Sequence, residues 1–148
     1  MISVKSVINK IRKSGLTISF AESCSGGNIA AEVIKISGVS DIFMGGVVTY
    51  SDEAKIDILN VTKQEIKKFG VVSENIAFLM AKNSKELFKT SLSLATTGNV
   101  GPLSSDNRSK VGEIYICLIF SYLLSYSISK SISEPYALSC TSAVRLRC

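Results

Sequence analysis

The sequence predicts an α/β protein: a three-layer α/β/α sandwich built on a mixed, mostly parallel sheet with a C-terminal hairpin. Three observations predict it. Short β-prone runs alternate with segments whose apolar residues recur at helical spacing. Small polar turns rich in glycine and serine follow the runs. Toward the C-terminus the pattern changes to a period of two, with Ser125, Ser127, Ser129, Ser131 and Ser133 on alternate positions of a half-exposed strand. The chain has 148 residues, 46% of them hydrophobic and 20% charged, with 2 prolines, which suits a single folded domain over residues 1–148.

The elements follow in order. Val4, Val7, Ile8 and Ile11 share one face of a first helix, and Gly15 stands at its C-terminal stop. Residues 16–20 form a first strand, which runs into the polar turn Ser23-Cys24-Ser25-Gly26-Gly27. A helix over 28–36 stops near Gly38, and 46–50 form a second strand. Ser51, followed by Asp52 and Glu53, is an N-cap with acids in the first turn of a helix to about residue 59. Thr62 and Glu65 have capping-box spacing for a helix ending near Gly70, and Ser73 caps a longer one to about residue 88. Residues 91–96 alternate as a strand, 97–110 form a loop rich in Gly, Ser and Asn, and 111–120 pair with 124–133 as the hairpin.

Composition closes several functional classes. Histidine is absent, which excludes imidazole-based hydrolase triads and His-ligated zinc. Acid–base chemistry falls to Lys, Tyr, Asp, Glu or a terminal amine. Cys24, Cys117, Cys140 and Cys148 form no Cys-x-x-Cys pair, and the N-terminus reads as an amphipathic helix rather than a secretory leader, so a reducing, cytoplasmic setting is expected. The net charge of +5 is scattered apart from Lys67-Lys68, so nucleic acid is not the expected partner. The uncharged stretch 114–129 is too short and too rich in serine for a membrane span.

Three clusters have the residue types for chemistry. In Glu22-Ser23-Cys24-Ser25-Gly26-Gly27, hydroxyls and a thiol sit where a parallel strand feeds a helix, the usual ligand crevice of such sheets. Its glycines let a ligand approach backbone N–H groups. In Thr49-Tyr50-Ser51-Asp52-Glu53-Ala54-Lys55, the tyrosine hydroxyl and the lysine amine are the groups best suited to replace a histidine. In Thr97-Gly98-Asn99-Val100-Gly101-Pro102 and the cations beyond it, glycines, hydroxyls and charge suit a phosphate, although no Walker ending follows. Each cluster, taken singly, also fits a structural account: a capped helix, a solvated lysine face, a surface loop.

Together the clusters resemble the carboxy-terminal domain of the competence/damage-inducible CinA proteins, a domain that also occurs alone as nicotinamide-nucleotide amidohydrolase. The resemblance spans about residues 16–112. It rests on the three strings above, on Gly70-Val71-Val72-Ser73-Glu74, and on Lys110-Val111-Gly112. It implies hydrolysis, without metal or other cofactor, of the carboxamide of a small-molecule nucleotide substrate, nicotinamide mononucleotide, to nicotinate mononucleotide and ammonia; an exposed sheet edge left by the shortened C-terminus predicts a homo-oligomer. Under that resemblance Ser23 is the nucleophile, Lys55 the general base and Tyr50 a relay or orienting group. Glu22 would orient Lys55 or the substrate. Backbone amides around Ser25, Gly26 and Gly27 would meet the oxyanion, and Thr97, Gly98, Lys110 and Arg145 the nucleotide.

The string alone leaves Ser23 and Ser25 both open as the attacking group. Ser25 stands for the family's usual threonine. The family loop usually reads Ser-Gly-Ile-Ala-Gly-Pro with further glycines, where this chain has Asn99, Val100 and then Leu103-Ser104-Ser105-Asp106. At the family's Gly-Asp-Arg it has Ser139-Cys140-Thr141, leaving Arg145 or Arg147 to supply a guanidinium. These departures define the alternative, a nucleotide-binding or oligomer-forming domain of the same family with impaired turnover.

Overall fold

A computed structural model describes residues 3–102 and 108–120 of the chain. Helix α1 (Val4–Lys13) starts at Ser3, whose hydroxyl accepts the Ser6 N–H at 3.1 Å, and Gly15 follows it with φ 64°. Strand β1 (Ile18–Glu22), helix α2 (Asn28–Ile34), a 3-10 turn (Val39–Asp41) and strand β2 (Phe43–Val48) come next. Helices α3 (Asp52–Leu59), α4 (Lys63–Phe69) and α5 (Glu74–Phe88) then lead to strands β3 (Leu92–Asn99) and β4 (Glu113–Phe120). The expected caps are in place: Ser51 accepts from Ala54, Ser73 from Ile76, and Thr62 and Glu65 form a reciprocal capping box. The Thr62 N–H and hydroxyl hold the Glu65 carboxyl below its ordinary range.

The strand order is β2-β1-β3-β4, with β1 parallel to both neighbours and β4 antiparallel to β3. Alternation along β1 divides the core into two layers. Ile18 and Phe20 pack with Ile8, Val33 and Ile42 under α1 and α2. Ala21, one step on, packs with Ile76, Ala77, Met80 and Ala81 of α5. Each large apolar side chain removed from water in these layers contributes roughly 1.5–3 kcal/mol. Because β1 is central and covered on both faces, all five of its residues are buried. The helices on both faces make this the three-layer sandwich the sequence predicts. Among the described residues no helix is long and apolar enough to cross a membrane.

Two boundaries differ from expectation. Strand β3 does not stop at Thr96: Thr97, Gly98 and Asn99 pair with Tyr115, Ile114 and Glu113 of β4. The glycine that reads as loop is there for close approach, since a Cβ at position 98 would lie 2.9 Å from the Ile114 side chain and 3.0 Å from the Glu113 carbonyl. Likewise β2 begins at Phe43 and takes in Gly45, where a Cβ would stand 2.6 Å from the Phe88 ring. In both strands tertiary contact overrides local composition. The expected hairpin has its first strand in β4. Its partner at 124–133 lies outside the described residues, as do Arg145 and the departures at 139–148.

Candidate active site

The crevice forms where β1 and β2 leave the sheet. Beyond Glu22 the chain turns through Ser23 to Gly27, with Gly26 (φ 60°) and Gly27 (φ 93°) in left-handed backbone that favours glycine. The register of β1 sends Glu22 to the α2 face and Ser23 to the α3 and α5 face. Buried Glu22 accepts the N–H groups of Gly27 at 3.0 Å, Ile29 at 3.1 Å and Ala30 at 2.8 Å. It therefore satisfies the open donors of α2 and makes no contact with Lys55, which corrects the first of its two expected roles, the orienting of Lys55. Glu22→Ala is expected to lower stability by about 3 kcal/mol in urea unfolding. Glu22→Gln, which keeps an acceptor, should lose less. A loss of turnover with unchanged stability would return Glu22 to Lys55.

The glycine amides are also engaged. Gly26 N–H donates to the Ser23 carbonyl at 3.0 Å and Gly27 N–H to Glu22, so neither faces an incoming carbonyl. The amides of Cys24 and Ser25 lie instead beside the Cys24 sulfur, and Cys24 lines the cleft. Ser25 Oγ is 2.7 Å from Thr96 Oγ1 and does not line the cleft.

Ser23 and Lys55 meet. Lys55 lies in the first turn of α3, 1% exposed, and its Nζ donates to Ser23 Oγ at 3.1 Å. It also donates to the carbonyls of Thr49 at 2.8 Å, Tyr50 at 3.3 Å and Ser51 at 3.5 Å. Burial pushes the Lys55 pKa below its ordinary 10.5, against the opposing pull of Asp52 and Cys24. A neutral amine has two N–H groups and one lone pair. With the N–H groups on the Thr49 and Tyr50 carbonyls, the lone pair is left for the Ser23 hydroxyl. Burial pushes the neighbouring Cys24 thiol up from 9.0, against the Thr96 hydroxyl, the local amides and Lys55, so it is a poor thiolate near neutrality.

Tyr50 contributes differently from expectation. Its carbonyl, not its hydroxyl, contacts Lys55, and its side chain is 73% exposed at the cleft mouth with no hydrogen bond to Ser23 or Lys55. The hydroxyl therefore makes no relay contact in this structure, and the carbonyl contact is of the orienting kind. The cleft has a volume of about 450 Å³, and its walls include Ser23, Cys24, Tyr50, Asp52, Lys55, Val71, Val72 and residues 97–101. Thr97 and Gly98 are thus on the cleft as expected, with Thr97 Oγ1 donating to the Val71 carbonyl at 2.8 Å. Lys110 is not: it is exposed, and its N–H donates to the Glu113 carboxylate at 3.0 Å. Asn99 is a wall residue with no role assigned from sequence. It accepts the Gly101 N–H at 3.3 Å and donates to Ser109 Oγ at 3.4 Å. Among the described residues no three His, Cys, Asp or Glu side chains converge in a metal-binding group.

A buried lysine against a serine hydroxyl, at the carboxyl end of a parallel strand in an α/β/α sandwich, defines an α/β protein with a histidine-free serine–lysine pair. The comparisons narrow the class. The family model of the CinA C-terminal domain matches residues 2–137, and the chain belongs to that family. It is 44% identical over 112 residues to a CinA-like protein of Kosmotoga olearia, covering 76% of this chain and 27% of that one. A CinA-like protein of Fervidobacterium nodosum is 45% identical over 106 residues, with 72% and 26% covered. The chain thus spans about a quarter of the length of these curated relatives. Among solved structures, the competence or damage-inducible protein from Enterobacter asburiae superposes with TM-score 0.76 at 27% identity, over 81% of this chain and 78% of that one. The protein CihA of Agrobacterium tumefaciens gives 0.73 at 33% identity, over 77% and 69%.

Proposed function

We propose that the chain hydrolyses the carboxamide of nicotinamide mononucleotide to nicotinate mononucleotide and ammonia. The observation that carries the reading is the 3.1 Å contact between Ser23 Oγ and Lys55 Nζ inside the cleft. Neutral Lys55 takes the hydroxyl proton as Oγ attacks the carboxamide carbon, and the oxyanion lies against the Cys24 and Ser25 amides. The Lys55 ammonium returns the proton to the departing nitrogen, which leaves as ammonia. Water then attacks the acyl-serine with Lys55 again as base, releasing the carboxylate and restoring the hydroxyl. A cleft of about 450 Å³ is of the size that holds a mononucleotide. The thiol of Cys24, unpaired among the described residues, accords with a reducing, cytoplasmic setting. Exposed Met44 and Val48 on β2, an edge strand among the described residues, support a homo-oligomer.

A second reading, nucleotide binding without turnover, is favoured by one observation. Lys55 is the one basic side chain among the described lining residues, and Lys110 stands outside the cleft. Incubation with nicotinamide mononucleotide and assay of ammonia separates the two. One ammonia per nucleotide consumed is the expected result; saturable binding with no ammonia overturns the hydrolytic reading.

A further inference from the structure

We infer that Thr96 is a positioning residue for the reaction: from behind the cleft wall it holds the Ser23-Cys24-Ser25 turn, on which the nucleophile and the oxyanion donors lie. The inference rests on the amidohydrolase reading of the Ser23–Lys55 pair and adds to that site a residue outside its lining.

Thr96 is 3% exposed on β3 and is paired on both sides, with Glu22 of β1 and Ile116 of β4. Alternation along β3 turns Thr97 to the cleft and Thr96 to the α2 face, where its register partner Glu22 also points. From there it meets three consecutive residues of the turn. Its carbonyl accepts the Ser23 N–H at 3.0 Å, which carries the β1–β3 ladder one residue beyond the strand. Its Oγ1 lies 2.7 Å from Ser25 Oγ and also bonds the Cys24 sulfur. A hydroxyl has one proton to give and two lone pairs to receive, so one oxygen serves both neighbours.

The turn depends on that hold. Beyond Ser25 come Gly26 and Gly27, both in left-handed backbone and with no side chain to pack. Strand pairing on both sides fixes the Thr96 backbone, and β-branching restricts its χ1, so its hydroxyl is a rigid anchor. Without the hydroxyl the Ser23 N–H bond remains, but the Cys24 and Ser25 side chains lose their common partner. Their amides then rotate away from the developing charge. A misplacement of about 1 Å at a reacting centre costs on the order of 10²-fold in rate. The bound amide gains little from these donors until the oxyanion forms, so the loss falls on kcat and not on KM.

The test compares, in the full chain, Thr96→Val, which keeps the shape, with Thr96→Ser, which keeps the hydroxyl. Thr96→Val is expected to lower kcat for ammonia release from nicotinamide mononucleotide by about 30-fold, with KM within about twofold. Thr96→Ser should stay within about threefold of the parent in both.

A second readout needs no turnover. The Cys24 thiol is faced by Thr96 of β3, by Lys55 of α3 and by the Cys24 and Ser25 amides, with Asp52 of α3 on the same cleft. The Thr96 hydroxyl favours the thiolate. The pH midpoint of Cys24 alkylation by iodoacetamide, followed on its peptide by mass spectrometry, should therefore move up in Thr96→Val and hold in Thr96→Ser. A parental kcat in Thr96→Val, a loss that serine does not rescue, a KM that rises with the loss, or an unmoved midpoint each overturn the inference. If Thr96→Val does not fold, Ser25→Ala breaks the 2.7 Å contact from the turn side. It is then expected to lower kcat at constant KM, and a parental kcat there overturns the inference. If the parent releases no ammonia, the hydrolytic reading falls, and the alkylation midpoint alone decides whether Thr96 holds the turn.

Discussion

Ser23→Ala and Lys55→Met are each expected to lower kcat for carboxamide hydrolysis by about 10³-fold or more, with the double variant falling little further. The non-additivity follows from the geometry. The hydroxyl is a weak nucleophile unless its proton has somewhere to go, and Lys55 Nζ at 3.1 Å is the base in reach. Once either partner is gone, the other has nothing left to contribute. Lys55→Arg is expected to be as inactive as Lys55→Met, because a guanidinium does not lose its proton near neutrality. Cys24→Ser should stay within a few-fold of the parent, since burial keeps the thiol protonated. Single-turnover ammonia release on each variant checks the set. Full activity in Ser23→Ala, with loss in Ser25→Ala, would move the nucleophile to the hydroxyl now paired with Thr96.

The second large effect is on pH. The rate is expected to rise with pH along a limb set by Lys55, with its midpoint below the ordinary 10.5 because burial disfavours the ammonium. Asp52→Asn should move that limb to still lower pH, since the carboxylate raises the Lys55 pKa. Stability follows the same proton. Between the folded value and 10.5 the unfolded chain binds more protons than the folded one, so stability climbs with pH through this window. The contribution is complete above 10.5 and is lost as pH falls to the folded value. Urea midpoints for the parent and Lys55→Met, taken across the alkaline range, isolate it as a difference that grows with pH. A flat difference would mean that Lys55 titrates as an ordinary surface lysine.

Where the chain interacts with its own near neighbours, the sequence is readable. The hydroxyl caps Ser51 and Ser73 and the Thr62–Glu65 box act within one helical turn, so spacing alone finds them. The Thr97–Asn99 extension of β3 is a different case. Its glycine and asparagine are loop residues by composition, and only pairing with β4 makes them strand. Glu22 was legible as a polar residue at a strand's end, but its partners depend on which face of the sheet it leaves from.

The residue types of the site were likewise set by the sequence: no histidine, a serine after β1, a lysine four residues past a cap, and the family strings that join them. Tertiary structure decided which serine the lysine meets, that Tyr50 holds it by a carbonyl, that Gly26 and Gly27 shape the turn, and that Lys110 stands outside. The physical reason is one of range. Caps and periodicity depend on bonds and contacts a few residues apart, whereas Ser23 and Lys55 are 32 positions apart. Their contact, and the burial that shifts the amine, exist only once β1, β2 and α3 pack together.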